Sequence, residues 1–159
     1  MGEQAQVLAN RFEEVNRELI SAVERSTDEE WRSKCVGEGW SVGVVAHHVG
    51  MGHPRIAGLA KTVAAGQPLP PMTMEMIDQG NAQHAQEYTR CTREETLDLL
   101  RKNGATAAAT VRGLNDADLR RSGTLAGGRH MTVEQMIEGI LIGHAKGHLA
   151  SIRSAIGTA

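Results

Sequence analysis

The chain has 159 residues, a length that suits one domain with its own hydrophobic core. Its 17 basic and 19 acidic residues are spread along the whole length and give a formal net charge of −2, so we expect no nucleic-acid partner and no membrane association. Aromatic residues make up only 3% of the chain, which argues against stacking on exposed bases.

The first long helix is predicted over residues 4–25, where apolar side chains recur every three or four positions, the spacing that lines one face of a helix. These side chains are Leu8, Phe12, Val15, Leu19 and Val23. The segment STDEEW then predicts a short helix capped by Thr27, with Glu30 completing a capping box.

The second long helix is predicted to begin at Ser41 as its N-cap and to end in the Pro/Gly run AAGQPLPPMT. Its apolar stripe consists of Val45, Val49, Ile56, Leu59 and Val63. Pro54 falls inside this stripe and predicts a kink or a break. An irregular connection with a short helix around residues 74–90 follows.

Two further long helices are predicted in the second half of the chain, and each begins with a capping box. Thr92 with Glu95 begins the third, and Thr132 with Gln135 begins the fourth. Between them LNDADL predicts another short capped turn. The third helix is lined by Leu97, Leu100, Ala107, Val111 and Leu114, and the fourth by Met136, Ile140, His144, Gly147, Ser151 and Ala155.

The two halves share one order of elements. Each has a long helix, then STDEEW or LNDADL, then a glycine-containing loop and a second long helix that carries a Gly-His pair. No segment alternates apolar and polar residues for long enough to indicate a strand. We therefore predict an all-α fold, a four-helix bundle of one domain over residues 1–159, with a crossover containing a short helix between the second and third long helices.

The start of the chain, MGEQAQVLANRFEEV, lacks the pattern of a signal peptide, and no apolar run approaches the length of a membrane span. Cys35 and Cys91 are too few for a disulfide framework, which suits a reducing compartment. A cytoplasmic protein is expected.

Helical-wheel positions sort the histidines of the two helices that carry them. With Val45 at zero, His48 lies about 60° from the stripe centre and faces the core edge, whereas His47 lies near 200° and faces away. On the fourth helix, with Ile140 at zero, two histidines face inward at about 40° and about 80°. They are His144 and His148, four residues apart on one face and so able to share a ligand.

Spacing alone leaves two interpretations open for His48, His144 and His148. Each could be a core-edge histidine with its own hydrogen-bond partner. Alternatively, the three could hold one metal ion, which would spare the cost of roughly 1–3 kcal/mol for each buried polar group left unpaired. Other metal architectures are disfavoured, because no Glu stands three residues before any histidine and neither His-Glu-x-x-His nor C-x-x-C-H is present.

The remaining histidines and the tryptophans receive plainer predictions. Three histidines are expected at the solvent edge, where a role beside the site is left open: His47, His53 and His84. His130 is expected in an exposed loop. Trp31 and Trp40 are expected to be core anchors, and no residue stands out as a catalytic base.

Around His48 and at His144 and His148, the sequence resembles the DinB/YfiT-like family of metal-binding four-helix bundles. The family's second-helix signature is a Trp, then Ser or Thr, then a histidine eight residues after the Trp, matched by Trp40, Ser41 and His48. Its fourth-helix signature, His-x-x-x-His, is matched by His144 and His148. The order of elements matches along nearly the whole chain.

The resemblance implies that the three imidazoles hold Zn²⁺, Ni²⁺ or a similar divalent ion and leave positions for water or substrate. Imidazole suits several of these metals, so ligand softness does not choose among them. Position 44, often acidic in relatives, is Val44 here, so an acidic neighbour of the site is missing at that position.

The function implied by the resemblance is that of a divalent-metal-dependent enzyme acting on a small molecule. The preferred hypothesis is a thiol S-transferase, like the bacillithiol transferases and mycothiol-dependent maleylpyruvate isomerases, with a low-molecular-weight thiol as cosubstrate. Hydrolysis of a small ester or amide and a non-catalytic metal-binding bundle remain the alternatives. Many relatives are dimers, so a homodimer is expected.

Overall fold

A computed structural model describes residues 2–157 of the chain. Three of its long helices are α1 (Glu3–Arg25), α3 (Val42–Ala64) and α5 (Arg93–Arg112). The fourth is continuous and consists of α7 (Val133–Met136), a π-helical segment (Ile137–Ile142) and α8 (Gly143–Ala155). Shorter elements connect them: α2 (Asp28–Arg32), α4 (Met74–Glu87), α6 (Asp116–Arg120), β1 (Ser122–Thr124), a 3₁₀ turn (Ala126–Gly128) and β2 (His130–Thr132).

The long helices form a four-helix bundle, as predicted. α1 packs against α5 and α8, and α3 packs against the same two helices, so α1 and α3 occupy diagonally opposite corners. The predicted stripe of α1 is wholly buried. α4 is the helix of the crossover and contains no buried residue. Within residues 2–157, no helix has the length and hydropathy that a bilayer span requires.

Local capping signals fix where the helices begin. Thr27 Oγ1 accepts a hydrogen bond from the Glu30 backbone N–H at 3.1 Å, and the Glu30 side chain accepts one in return from the Thr27 N–H. The same reciprocal pair forms at the start of α5, α6 and α7. Each box satisfies two backbone donors that the first helical turn leaves unpaired, so these predicted starts are confirmed.

The sequence did not predict the two-stranded hairpin. β1 and β2 pair antiparallel, with Ser122 opposite Thr132 and Thr124 opposite His130. Each strand has only three residues, too few to show the alternation by which strands are recognised. His130 is therefore exposed on a strand rather than in a loop.

Pro54 does not break α3, which continues from Val42 to Ala64. A proline has no N–H to donate to the carbonyl four residues earlier, which here belongs to Gly50. Asn103 on α5 supplies the missing donor, with its Nδ2 2.9 Å from the Gly50 oxygen. Of the predicted kink or break, the break is wrong, because a neighbouring helix satisfies the carbonyl that the proline leaves free.

The two halves of the chain repeat one backbone contact. The N–H of Val42, the first residue of α3, donates to the Ser33 carbonyl at 2.8 Å. The N–H of Val133, the first residue of α7, donates to the Arg121 carbonyl at the same distance. In both halves this bond ties the start of a long helix to the short helix before it, which places α3 and the fourth helix equivalently in the bundle.

Candidate metal centre

Three histidines from two adjacent helices converge beside the core. α3 contributes His48, and α8 contributes His144 and His148. One ring nitrogen from each lies within 4.8 Å of the others, and the Nε2 atoms of His48 and His144 are 3.0 Å apart. The structure thus brings together the three residues that the sequence predicted as ligands, and their binding of a metal stays a prediction.

The residues that the fourth helix buries differ from those that the helical wheel predicts. Ile140, taken as the centre of the buried stripe, is only partly buried, and Gly147 is exposed. The buried residues are Val133, Met136, Ile137, Leu141, Ile142, Ala145, Leu149 and Ile152. The π-helical segment closes i→i+5 hydrogen bonds and so uses one more residue in a turn than an α-helix, which shifts the register. His144 and His148 consequently lie half-buried at the edge of the core, on the side of α3.

A glycine lets α3 and α8 come close at the cluster. A Cβ added at Gly52, one turn beyond His48, would lie 3.2 Å from His144 Cε1. Such a contact is tighter than side chains ordinarily make, so any other residue at position 52 would press on the imidazole. Gly52 therefore helps to bring His144 within reach of His48.

Glu38 orients the third histidine and was missed by the sequence analysis. Its Oε2 lies 2.6 Å from His148 Nδ1, and the two side chains are only 11% and 20% exposed. A carboxylate only accepts, so Nδ1 carries the hydrogen and Nε2 keeps its lone pair for the cluster. Position 44, where relatives often have an acid, holds the buried Val44, and the acidic neighbour of the site lies in the preceding loop instead. The available signal was the GEGW loop, whose single acid stands two residues before Trp40.

The environment keeps the His48 and His144 imidazoles neutral. Burial lowers the pKa of His48 to about 3, with further lowering by His144 and His148. Burial and then His148 lower the pKa of His144 to about 4. Arg55, exposed on α3 seven residues after His48, adds a positive charge that lowers the pKa of both groups. Near neutral pH these two rings offer lone pairs rather than protons.

A second imidazole pair lies beside the cluster and corrects one prediction. His47 Nδ1 is 2.8 Å from His84 Nε2, and the His47 ring stacks on Tyr88 at 4.1 Å between centroids. His47 is 6% exposed, so its expected solvent-edge position is wrong, whereas His84 is partly buried on α4, a helix with no buried residue. The wheel considered only the bundle core, whereas α4 and Tyr88 cover the outward face of α3. The His84 ring is 5.7 Å from that of His48.

His53 is a core residue, not a solvent-edge one. It is fully buried, packs edge-on against Phe12 at 4.8 Å, and its Nε2 donates to Asn16 Oδ1 at 2.9 Å. Asn16 in turn donates to the Leu100 carbonyl at 3.0 Å. Burial, and then His144, lower the pKa of His53 to about 3. This histidine serves the packing of the bundle.

The three-histidine cluster fits a divalent transition metal by its donor chemistry. Neutral imidazole nitrogens are ordinary ligands of Zn²⁺ and Ni²⁺. Zn–N bonds of about 2.1 Å need ring nitrogens a few ångströms apart. The Nε2 atoms of His48 and His144 are 3.0 Å apart, and all three ligand nitrogens lie within 4.8 Å of one another. The Glu38–His148 hydrogen bond is the carboxylate–histidine pairing that commonly accompanies such ligands.

Comparison with protein families supports the assignment of the fold. The model of the mycothiol maleylpyruvate isomerase N-terminal domain matches residues 12–138, most of the chain. The chain belongs to this family. The match includes His48 and ends before His144. A comparison with curated proteins found no match.

Among solved structures, YfiT from Bacillus subtilis has a fold similar to that of this chain. The TM-score is 0.78 at 22% identity, and the alignment covers 100% of this chain and 91% of that one. YfiT is described as a probable metal-dependent hydrolase with an unusual four-helix bundle topology. Family and fold together confirm the predicted membership in the DinB/YfiT-like superfamily.

Proposed function

We propose that the chain is a divalent-metal-dependent enzyme in which His48, His144 and His148 hold Zn²⁺ or Ni²⁺ and a low-molecular-weight thiol is the cosubstrate. The convergence of three ring nitrogens within 4.8 Å carries this proposal. A bound divalent ion supplies Lewis-acid chemistry, which favours the deprotonated form of a coordinated thiol or water near neutral pH. The family's name, which includes mycothiol, favours the thiol.

The chain's own residues have distinct tasks in this proposal. Glu38 fixes the tautomer of His148 and the direction of its Nε2 lone pair. Burial holds His48 and His144 in their ligating, neutral form. Arg55 places a positive charge two turns along α3 from His48, which favours an anionic reactant such as a thiolate at the cluster.

The proposed reaction transfers the thiol sulfur to an electrophile. The sulfur forms a bond to an electrophilic carbon, the leaving group departs with its electron pair, and the thiol proton passes to solvent. Hydrolysis of a small ester or amide is the second candidate function, because the described activity of YfiT, whose fold is similar, is metal-dependent hydrolysis.

Paired assays separate the candidates. The metal-loaded protein is given cysteine derivatives with 1-chloro-2,4-dinitrobenzene, and separately a nitrophenyl ester. We expect metal-dependent thiol consumption, and we expect His144→Ala to lower kcat/KM by about 100-fold or more. His130→Ala, exposed on β2, is the matched control and should retain full activity. Ester cleavage without thiol transfer would favour the hydrolase, and inactivity in both assays would favour a binding bundle.

A further inference from the structure

A cavity of about 570 Å³ lies beside the candidate metal centre. It is formed by α2, the start of α3 and the C-terminal end of α4 with the residues that follow it. Trp31 and Trp40, the two tryptophans of the chain, both line it. Both rings also pack against the core, as the sequence predicts.

The two indole walls are held in place by the protein itself. Trp31 Nε1 donates to the Cys91 carbonyl at 3.3 Å, and Gly43 lets the ring lie against α3, since a Cβ there would be 2.6 Å from Trp31 Cε2. Trp40 packs edge-on against His48, with ring centroids 5.4 Å apart. Trp40 is therefore a wall that the cavity shares with the candidate metal centre.

The charge of the cavity is positive. Arg32 and Arg90 line it, and neither forms an ion pair within the described part of the chain. By contrast, Arg93 near Trp31 is paired with Asp28 at 2.8 Å. No Asp or Glu from residues 2–157 lines the cavity, so the two guanidinium groups have no acidic partner there.

Flat apolar walls and free guanidinium groups select one class of ligand. Indole rings favour aromatic or similarly flat apolar groups, and guanidinium groups bind carboxylates, sulfonates and phosphates through paired N–H donors. We propose that this cavity binds a small organic anion, with its flat part against Trp31 and Trp40 and its acidic group at Arg32 and Arg90. This anion would be the non-reacting part of the substrate. That assignment rests on the proposed function and on Trp40, which lies against both the cavity and His48.

The tryptophans provide the readout. The ¹H–¹⁵N spectrum of the protein contains two indole N–H signals, and both report on the cavity. Benzenesulfonate serves as the anionic probe, and methyl phenyl sulfone is its neutral counterpart of nearly the same shape. We expect both indole signals to shift saturably with benzenesulfonate, and the sulfone to bind at least 10-fold more weakly.

Variants test the role of the guanidinium groups. The double variant R32Q/R90Q should weaken benzenesulfonate binding at least 10-fold, each single variant should weaken it less, and R17Q on α1 should not change it. The backbone signals of the same spectra report whether each variant is folded. Absence of a saturable shift, equal binding of the sulfone, or unchanged binding by the double variant would overturn the proposal. The titrations are repeated in the presence of a chelator. Because none of the three cluster histidines lines the cavity, we expect benzenesulfonate to bind without metal, so this proposal can hold even if the metal centre is disproved.

Discussion

The partner of each ring nitrogen decides what a histidine does in this protein. His53 is tied to Asn16, His47 to His84, and His148 to Glu38. Within residues 2–157, three rings direct nitrogens toward one another only in the cluster of His48, His144 and His148. His48 and His53 are both buried imidazoles on α3, so the hydrogen-bond partners, not the imidazoles alone, distinguish a packing residue from a candidate ligand.

The Glu38–His148 pair yields a prediction about metal affinity. Glu38→Gln keeps an acceptor near Nδ1 and removes its charge, so we expect metal affinity to fall by about 10- to 100-fold while the fold persists. Competition with a chromogenic chelator measures the dissociation constant. Glu29→Gln, at an exposed position on α2, is the control and should leave it unchanged. Equal affinities of Glu38→Gln and the unaltered protein would show that this carboxylate does not support a ligand.

Buried histidines also predict how stability depends on pH. The pKa of His53 falls from 6.5 to about 3 on folding, so between these values the unfolded chain binds more protons than the folded one. The free energy of unfolding therefore declines as pH falls below 6.5, by up to about 1.4 kcal/mol per pH unit for each such histidine. Urea unfolding of metal-free protein at pH 7.5 and 5.5 measures this loss. His53→Leu should show a smaller loss, and an identical pH dependence would contradict the assignment.

At the scale of elements, two irregular helices shape the site. The π-helical segment from Ile137 to Ile142 sets the direction in which α8 presents its histidines. α3 passes through Pro54 intact because Asn103 takes the place of the absent N–H. Both features lie within two turns of a cluster residue, so the local helix geometry is part of what positions the cluster.

The Asn103 contact is testable by a double-mutant cycle. Asn103→Ala leaves the buried Gly50 carbonyl without its donor, and we expect a loss of about 1–3 kcal/mol in the free energy of unfolding. Pro54→Ala restores a backbone N–H at the right position in the helix. Added to Asn103→Ala, it should recover part of the loss. No recovery in urea unfolding would mean that Asn103 acts through other contacts.

Some elements were predictable from sequence because their signals are local. The boxes at Thr27, Thr92 and Thr132 need only three neighbouring residues, and the start of each helix follows from them. Glu38 was not predictable in this way, because its partner lies 110 residues away. The burial of His47 depends on α4, which packs over it from elsewhere in the chain. The direction in which α8 presents its histidines depends on a π-helical segment, which a fixed period of 3.6 residues does not describe.

At the scale of the whole molecule, the candidate metal centre joins the two halves of the chain. His48 belongs to the first helical hairpin, whereas His144 and His148 belong to the second, and α3 packs against α8. An ion held by all three would bind the folded bundle far better than the unfolded chain, so the site would link metal binding to folding. The cluster therefore depends on the bundle as a whole.

Metal content per chain tests the central claim most directly. The protein is equilibrated with Zn²⁺ or Ni²⁺ at pH 7.5, freed of unbound ion and analysed by mass spectrometry for metals. We expect one ion per chain for the unaltered protein and for His130→Ala, and none for His48→Ala or His144→Ala. One ion per chain in both ligand variants, or none in the unaltered protein, would contradict the account.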